Sequence, residues 1–215
     1  MIDERCQVQK KMISEFIARA KAVSAVVRKV SNMQQALEYA VNICDENEAC
    51  QLLLAGCELA VSNSAAELCQ FSSEEKFIAA PGLDRDALTG LQAMAKERDI
   101  KVVSSGLRKY ASGLDMGLAV ADLGLAETGT LVLECSSEDL RLSTMLCEIN
   151  ILVLPVSRMR TGTDEAEEEL SAMMTKGSAY LSFITGASRT ADIERVLALG
   201  VHGPLELHIL LWEDD

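Results

Sequence analysis

From residue 48 onward, short uninterrupted apolar runs alternate with stretches of helical periodicity, and this alternation limits the chain to a narrow set of folds. Residues 51–55, 77–80 and 100–103 read as buried strands, too short for helices and bounded by polar or turn residues. Between the last two lies a helix. Asp84 is placed to cap its N-terminus, Asp86 sits in the first turn, Lys96 and Arg98 near the last, and Leu88, Leu91 and Ala95 form one face. Strand–helix–strand units of this kind require right-handed crossovers and a mostly parallel sheet. The later part is denser in strands, expected at 116–121, 130–134, 151–156, 179–185 and 205–212. The first two of these are separated by a short connection holding Gly124 and Gly129, which suggests antiparallel pairing. An acidic run over 164–169 leads a helix towards Met174 and reads as a solvated N-terminus.

The first 47 residues are different in kind. Ile13, Phe16, Ile17, Ala20, Val23, Val27 and Val30 recur at helical spacing and predict one long amphipathic helix over 8–30. Ser31 with Gln34 fits a capping box for a second helix carrying Leu37, Ala40, Val41 and Cys44 on one face. The expected organisation is therefore a helical lead-in over 1–47, followed by an α/β domain over 48–215.

Charge and cysteine usage narrow the functional classes. The net charge is −13, with 33 acids against 20 bases, which disfavours nucleic acid and anionic membrane surfaces. Seven cysteines at scattered spacings, with no CxxC and no Cys/His cluster, give no metal or iron–sulfur motif. With no basic leader and no 18-residue apolar stretch, reduced thiols in a cytoplasmic protein are the simplest reading. Aromatic residues are only 4%, so Leu, Val, Ile, Ala and Met must build the core.

Three segments carry more polar detail than a core needs. In Glu127-Thr128-Gly129-Thr130, backbone N–H groups and hydroxyls can converge on an anion; a plain β-turn with hydroxyl-satisfied ends explains the same residues. Gly186-Ala187-Ser188-Arg189-Thr190-Ala191-Asp192 follows a strand and precedes Ile193, Val196 and Leu197, which have helical spacing. Such a turn offers unpaired N–H groups, and Arg189 a fork for carboxylate or phosphate, outside the carboxyl ends of a parallel sheet. The alternative is a capping Ser188 or Thr190 with Arg189 paired to a surface acid. His202 lies in Gly200-Val201-His202-Gly203-Pro204, where it is either a hydrogen-bonded turn residue or an acid/base group. His208, within an apolar run, reads as a strand residue facing a polar neighbour. No nucleophile elbow, P-loop or dinucleotide fingerprint is present.

Taken in order, 126–133 with Arg141 and Ser143, 184–193, and 200–204 resemble the LUD (lactate-utilisation protein C) family. The resemblance implies a Rossmann-like α/β fold akin to ribose-5-phosphate isomerase, glucosamine-6-phosphate deaminase and CoA transferases. It also implies a non-redox accessory or substrate-handling part in oxidising L-lactate to pyruvate. Iron–sulfur clusters would reside on partner proteins, with no cofactor bound by this chain. The pocket it implies, for a small carboxylate or phosphate, is lined by Glu127, Thr128, Gly129, Thr130, Arg141, Ser188, Arg189, Thr190, Asp192 and His202. A free-standing enzyme acting on a sugar phosphate or acyl-CoA, with Glu127 as base or nucleophile and His202 in proton transfer, is the first alternative. The second is an interaction module with a vestigial pocket; a homo-oligomer is open in each case. Where the family usually reads Gly-Pro-Ser-Arg-Thr this chain has Ala187, and Cys147 and Asn150 stand in place of a Leu-Pro…His-Ile pattern.

Overall fold

A computed structural model describes residues 2–47, 75–110, 113–175, 180–190, 198–199 and 203–214. Elements are numbered among these residues. The main sheet has six strands in the order β1-β12-β7-β4-β2-β3, all parallel: Val26–Val30, Glu206–Trp212, Cys147–Pro155, Leu114–Val120, Lys76–Ala79 and Ile100–Val103. A second sheet, β8-β5-β6-β9, joins Met159–Arg160, Leu123–Leu125, Thr130–Glu134 and Leu181–Ile184, with β6 antiparallel to both of its neighbours. The expected mostly parallel α/β architecture is therefore present, flanked by helices on the main sheet.

One face of the main sheet is covered by α2 (Met33–Glu46) and α3 (Arg85–Lys96). Ile149, Ile151 and Val153 of β7 pack there against Leu37, Val41, Leu91 and Ala95. The opposite face of the same strand carries Leu152 and Leu154, which join Leu207, Ile209 and Leu211 of β12. They pack against Leu131 and Leu133 of the second sheet and against Phe16 and Ala20 of α1 (Ile2–Ala22). Strand alternation thus builds two cores from one strand. A sheet buried on both faces needs near-continuous apolar strands, which is why β7 and β12 read that way in the sequence.

Local chemistry explains the helix ends. Asp84 Oδ1 accepts from the Ala87 N–H at 2.8 Å, the cap expected from the sequence. The reciprocal arrangement at α2 lies one residue later than Ser31/Gln34: Asn32 Oδ1 accepts from the Gln35 N–H, and Gln35 Oε1 from the Ser31 N–H, both at 2.9 Å. The single helix expected over 8–30 is also corrected. It stops at Ala22, Ser24 turns the chain with φ of 64°, and Val26–Val30 becomes an edge strand parallel to β12. Apolar residues at 23, 27 and 30 fit helical spacing, but pairing with β12 prevails over that periodicity.

The pairing expected between 116–121 and 130–134 is overturned as well. The former is β4, held between β2 and β7, whereas β6 pairs with the intervening β5. The expected strand at 51–55 lies outside the described residues.

Two glycines in the left-handed region bring the second sheet against α1 and the turn that follows it. A Cβ at Gly129 (φ +66°) would lie 2.4 Å from the Ala20 nitrogen, and one at Gly186 (φ +78°) 2.4 Å from the Val23 carbonyl oxygen. Gly129→Ala is expected to cost about 2–4 kcal/mol, combining backbone strain with overpacking, and to lower Tm by several degrees. Gly106 also has positive φ (+72°) but nothing within 4 Å, so Gly106→Ala should cost only about 1 kcal/mol. Thermal melts of the two variants check the difference.

Candidate functional site

A cavity of about 440 Å³ opens where the two sheets part, near the amino-terminal ends of β7 and β12. Its lining comes from four places: Asn150 of β7 with Leu207 of β12, Thr144 and Met145 at the end of α4 (Glu138–Leu146), Tyr180 to Gly186 along β9, and Ser188 with Gly203 and Pro204. The sequence placed the Gly186 turn outside the carboxyl ends of a parallel sheet. It instead follows β9, the edge strand of the second sheet, and the cavity lies at the opposite end of the main strands.

The polar lining is neutral. Among the described residues that form the cavity, none carries a charge. The Thr144 hydroxyl donates to the Arg141 carbonyl at 2.8 Å, and Ser182 hydrogen-bonds the Cys135 thiol. The Ser188 N–H donates to the Pro204 carbonyl at 2.9 Å, which ties the Gly186 turn to the segment entering β12. Asn150 differs from these. It is 2% exposed, and its Oδ1 has no hydrogen-bond partner. Met145, Tyr180 and Phe183, 51–55% exposed, make an apolar rim.

The residues singled out by sequence are distributed around this cavity unevenly. The hydroxyls of Thr128, Thr130 and Thr185 form a row with 2.7 Å between neighbours, so the Thr128–Thr130 turn reaches the cavity wall through Thr185. Gly129 faces α1. The Glu127 carboxylate lies over Gly162, where a Cβ would come within 2.5 Å of its Oε1; its N–H donates to the Thr161 carbonyl at 2.9 Å. It does not line the cavity. Arg141 lies behind the wall: Nη1 donates to the Cys135 carbonyl at 2.9 Å, and the guanidinium carbon stands 5.1 Å from the Tyr180 ring centroid. Ser143 is buried and donates to the Leu140 carbonyl.

Ser188 is a lining residue, and the adjacent Arg189 is exposed. Arg189–Thr190 is a two-residue strand, β10, antiparallel to β11 (Ala198–Leu199), so the Gly186 turn enters a strand before any helix. The helix expected from Ile193, together with Asp192 and His202, lies outside the described residues. His208 behaves as read: buried on β12, it meets Tyr39 Oη through Nδ1 and Glu206 Oε2 through Nε2, each at 2.8 Å.

Sequence reasoning passed over Thr144, Ser182 and Thr185, and treated Asn150 only as a departure from a family pattern. A usable signal existed. Asn150 is the one polar side chain in the run 149–154, and alternation puts it on the same face as Leu152 and Leu154.

A profile of the LUD domain matches residues 13–212. The chain belongs to the LUD domain family. Lactate utilization protein C 1 of Bacillus mycoides (strain KBAB4) is 32% identical over 123 residues, covering 56% of this chain and 49% of that protein. Lactate utilization protein C of Geobacillus thermodenitrificans (strain NG80-2) is 31% identical over 147 residues, with 62% and 61% covered. The matched part of this LUD domain thus spans about half the length of the first of these relatives and under two thirds of the second. A crystal structure of a duf162 family protein from Deinococcus radiodurans superposes with a TM-score of 0.59 at 16% identity, covering 95% of this chain and 98% of that one. That likeness establishes the shared fold. Among the described residues, no helix of this LUD domain is long and apolar enough to cross a membrane.

Cys44, Cys135 and Cys147 are free and buried in the core. Burial pushes Cys44 and Cys147 up to about 12, and raises Cys135 against the opposing pull of Ser182. A thiol so raised stays protonated at neutral pH and is a poor nucleophile. Iodoacetamide at pH 8 should therefore leave Cys44, Cys135 and Cys147 unmodified in the native protein and label them after denaturation. Peptide mass mapping reads the result.

Proposed function

We propose that this chain is a non-redox, substrate-handling subunit in the oxidation of L-lactate to pyruvate, working beside iron–sulfur proteins that carry the electrons. The cavity between the sheets is its binding site for a small carboxylate. The observation that carries this reading is the unpartnered Asn150 Oδ1, buried at the border of a cavity whose other described polar residues are neutral. A buried amide left without a partner costs free energy unless a ligand completes it. The names of the relatives supply the metabolic context, since the two described above are lactate utilization proteins.

The neutral lining leaves carboxylate charge to be met at the edge of the cavity. Arg189, next to Ser188 and exposed, is suited to that task; Arg141 already holds the Cys135 carbonyl and the Tyr180 ring. A three-carbon acid fills only a fraction of about 440 Å³. The remainder opens between Met145, Tyr180 and Phe183, and an iron–sulfur partner docked on that apolar rim would enclose the acid. The free-standing enzyme with Glu127 as base finds less support, because the Glu127 carboxylate faces Gly162.

Isothermal titration with L-lactate and pyruvate tests the reading. Saturable heat is expected with at least one of them, and Arg189→Ala should weaken it roughly tenfold or more, as for loss of a hydrogen bond to a charged group. Absence of heat with both acids at millimolar concentration would remove the carboxylate site.

A further inference from the structure

We propose that Asn150 sets the specificity of the cavity by accepting a hydrogen bond from a ligand hydroxyl, so that hydroxy acids are held in preference to their deoxy and oxo counterparts. This rests on the cavity being a ligand site, as proposed above, and adds which part of the ligand is recognised.

Asn150 stands on the central strand β7, paired on one side with Gly117 of β4 and on the other with Leu207 of β12. Its backbone is thus fixed by two ladders. Its side chain leaves the strand on the face of Leu152 and Leu154, towards the second sheet, at the level where the sheets separate. A carboxamide has one oxygen that only accepts and one nitrogen that only donates. Here the oxygen is unpartnered, while the apolar Leu207 and Ile184 and the small Gly203 stand nearby along the wall. Asn150 lines the cavity, and its backbone is held by the strand, so the amide is fixed at the cavity wall.

None of the described hydroxyls along the wall reaches this oxygen: Thr144 donates to the Arg141 carbonyl, Thr185 pairs with Thr130, and Ser182 is engaged with Cys135. Among the described residues the oxygen has no donor, and a ligand can supply one. A hydroxyl satisfies that need; a keto oxygen and a methylene do not. A 2-oxo acid would set an acceptor against an acceptor. A site built to hydrogen-bond one group rejects the analogue lacking it far more strongly than it rejects a change in size.

The test measures affinity for four ligands by titration calorimetry on the whole chain: L-lactate against propionate, and methyl L-lactate against methyl propionate. The second pair carries no charge. We expect the hydroxyl member of a pair to bind about ten- to a hundredfold more tightly. In Asn150→Leu that ratio should fall to near one, with Tm unchanged or higher because a buried unpaired oxygen has been removed. Pyruvate should bind no better than propionate.

Preference for methyl lactate with lactate itself silent would keep the role of Asn150 and discard the carboxylate reading. Equal binding of lactate, propionate and pyruvate would do the reverse. The inference is overturned by equal affinities within both pairs in the wild type, by silence of all four ligands, or by a preference that survives intact in Asn150→Leu. The wild-type ratios decide the matter even if that variant fails to fold.

Discussion

Inter-sheet packing on one face of β7 governs the rest of the structure. Leu152 and Leu154 are fully buried there among Ile209 and Leu211 of β12 and the strands of the second sheet. Contact is close enough that Gly124 on β5 leaves no room for a side chain: a Cβ would meet Leu154 Cδ2 at 2.4 Å. α1 wedges into the same seam through Phe16 and Ala20. Burial of this many large aliphatic side chains, each worth about 1.5–3 kcal/mol, fixes the spacing of the layers. Two residues before Leu152 on the same face, an amide stands at Asn150 where the pattern would continue with an aliphatic side chain, and there the layers part.

That exchange of an aliphatic side chain for an amide links packing to function. A strand that alternates so regularly offers little tolerance for a polar group, and Asn150 is held by ladders on both sides. The cavity and the orphaned oxygen arise from the same position. The apolar rim of Met145, Tyr180 and Phe183 then stands over a polar interior, an arrangement suited to a small polar ligand enclosed by a partner's surface.

Much of the fold was legible because its signals are local. The Asp84 cap, the short apolar runs at β2 and β3, and the continuous apolar strand β7 are each decided within a few residues. Errors arose where distant partners decide. Val26–Val30 has helical periodicity with residues before it, yet β12, almost the whole chain away, offers a free edge for parallel pairing. Likewise β4 and β6 are close in sequence but belong to different sheets. The candidate site was legible only in part, for a related reason. Ser188 lies at the cavity, and the row from Thr128 to Thr185 ends at its wall. Gly129, read as a place where an anion could approach the backbone, admits the backbone of α1 instead, because the same conformational freedom serves either approach. Glu127 and Arg141 carry charges that a sequence reader assigns to a ligand, but in the fold one lies over Gly162 and the other holds a carbonyl and an aromatic ring. Asn150 was hard to value in advance, since an unsatisfied acceptor is a property of packing.

The most direct measurement follows the Asn150 side-chain amide itself by nitrogen-15 NMR in asparagine-labelled protein during addition of L-lactate. The account predicts a saturable shift of that amide, with the surface amides of Asn32, Asn42 and Asn47 unmoved. An Asn150 resonance indifferent to lactate, methyl lactate and pyruvate alike would contradict it.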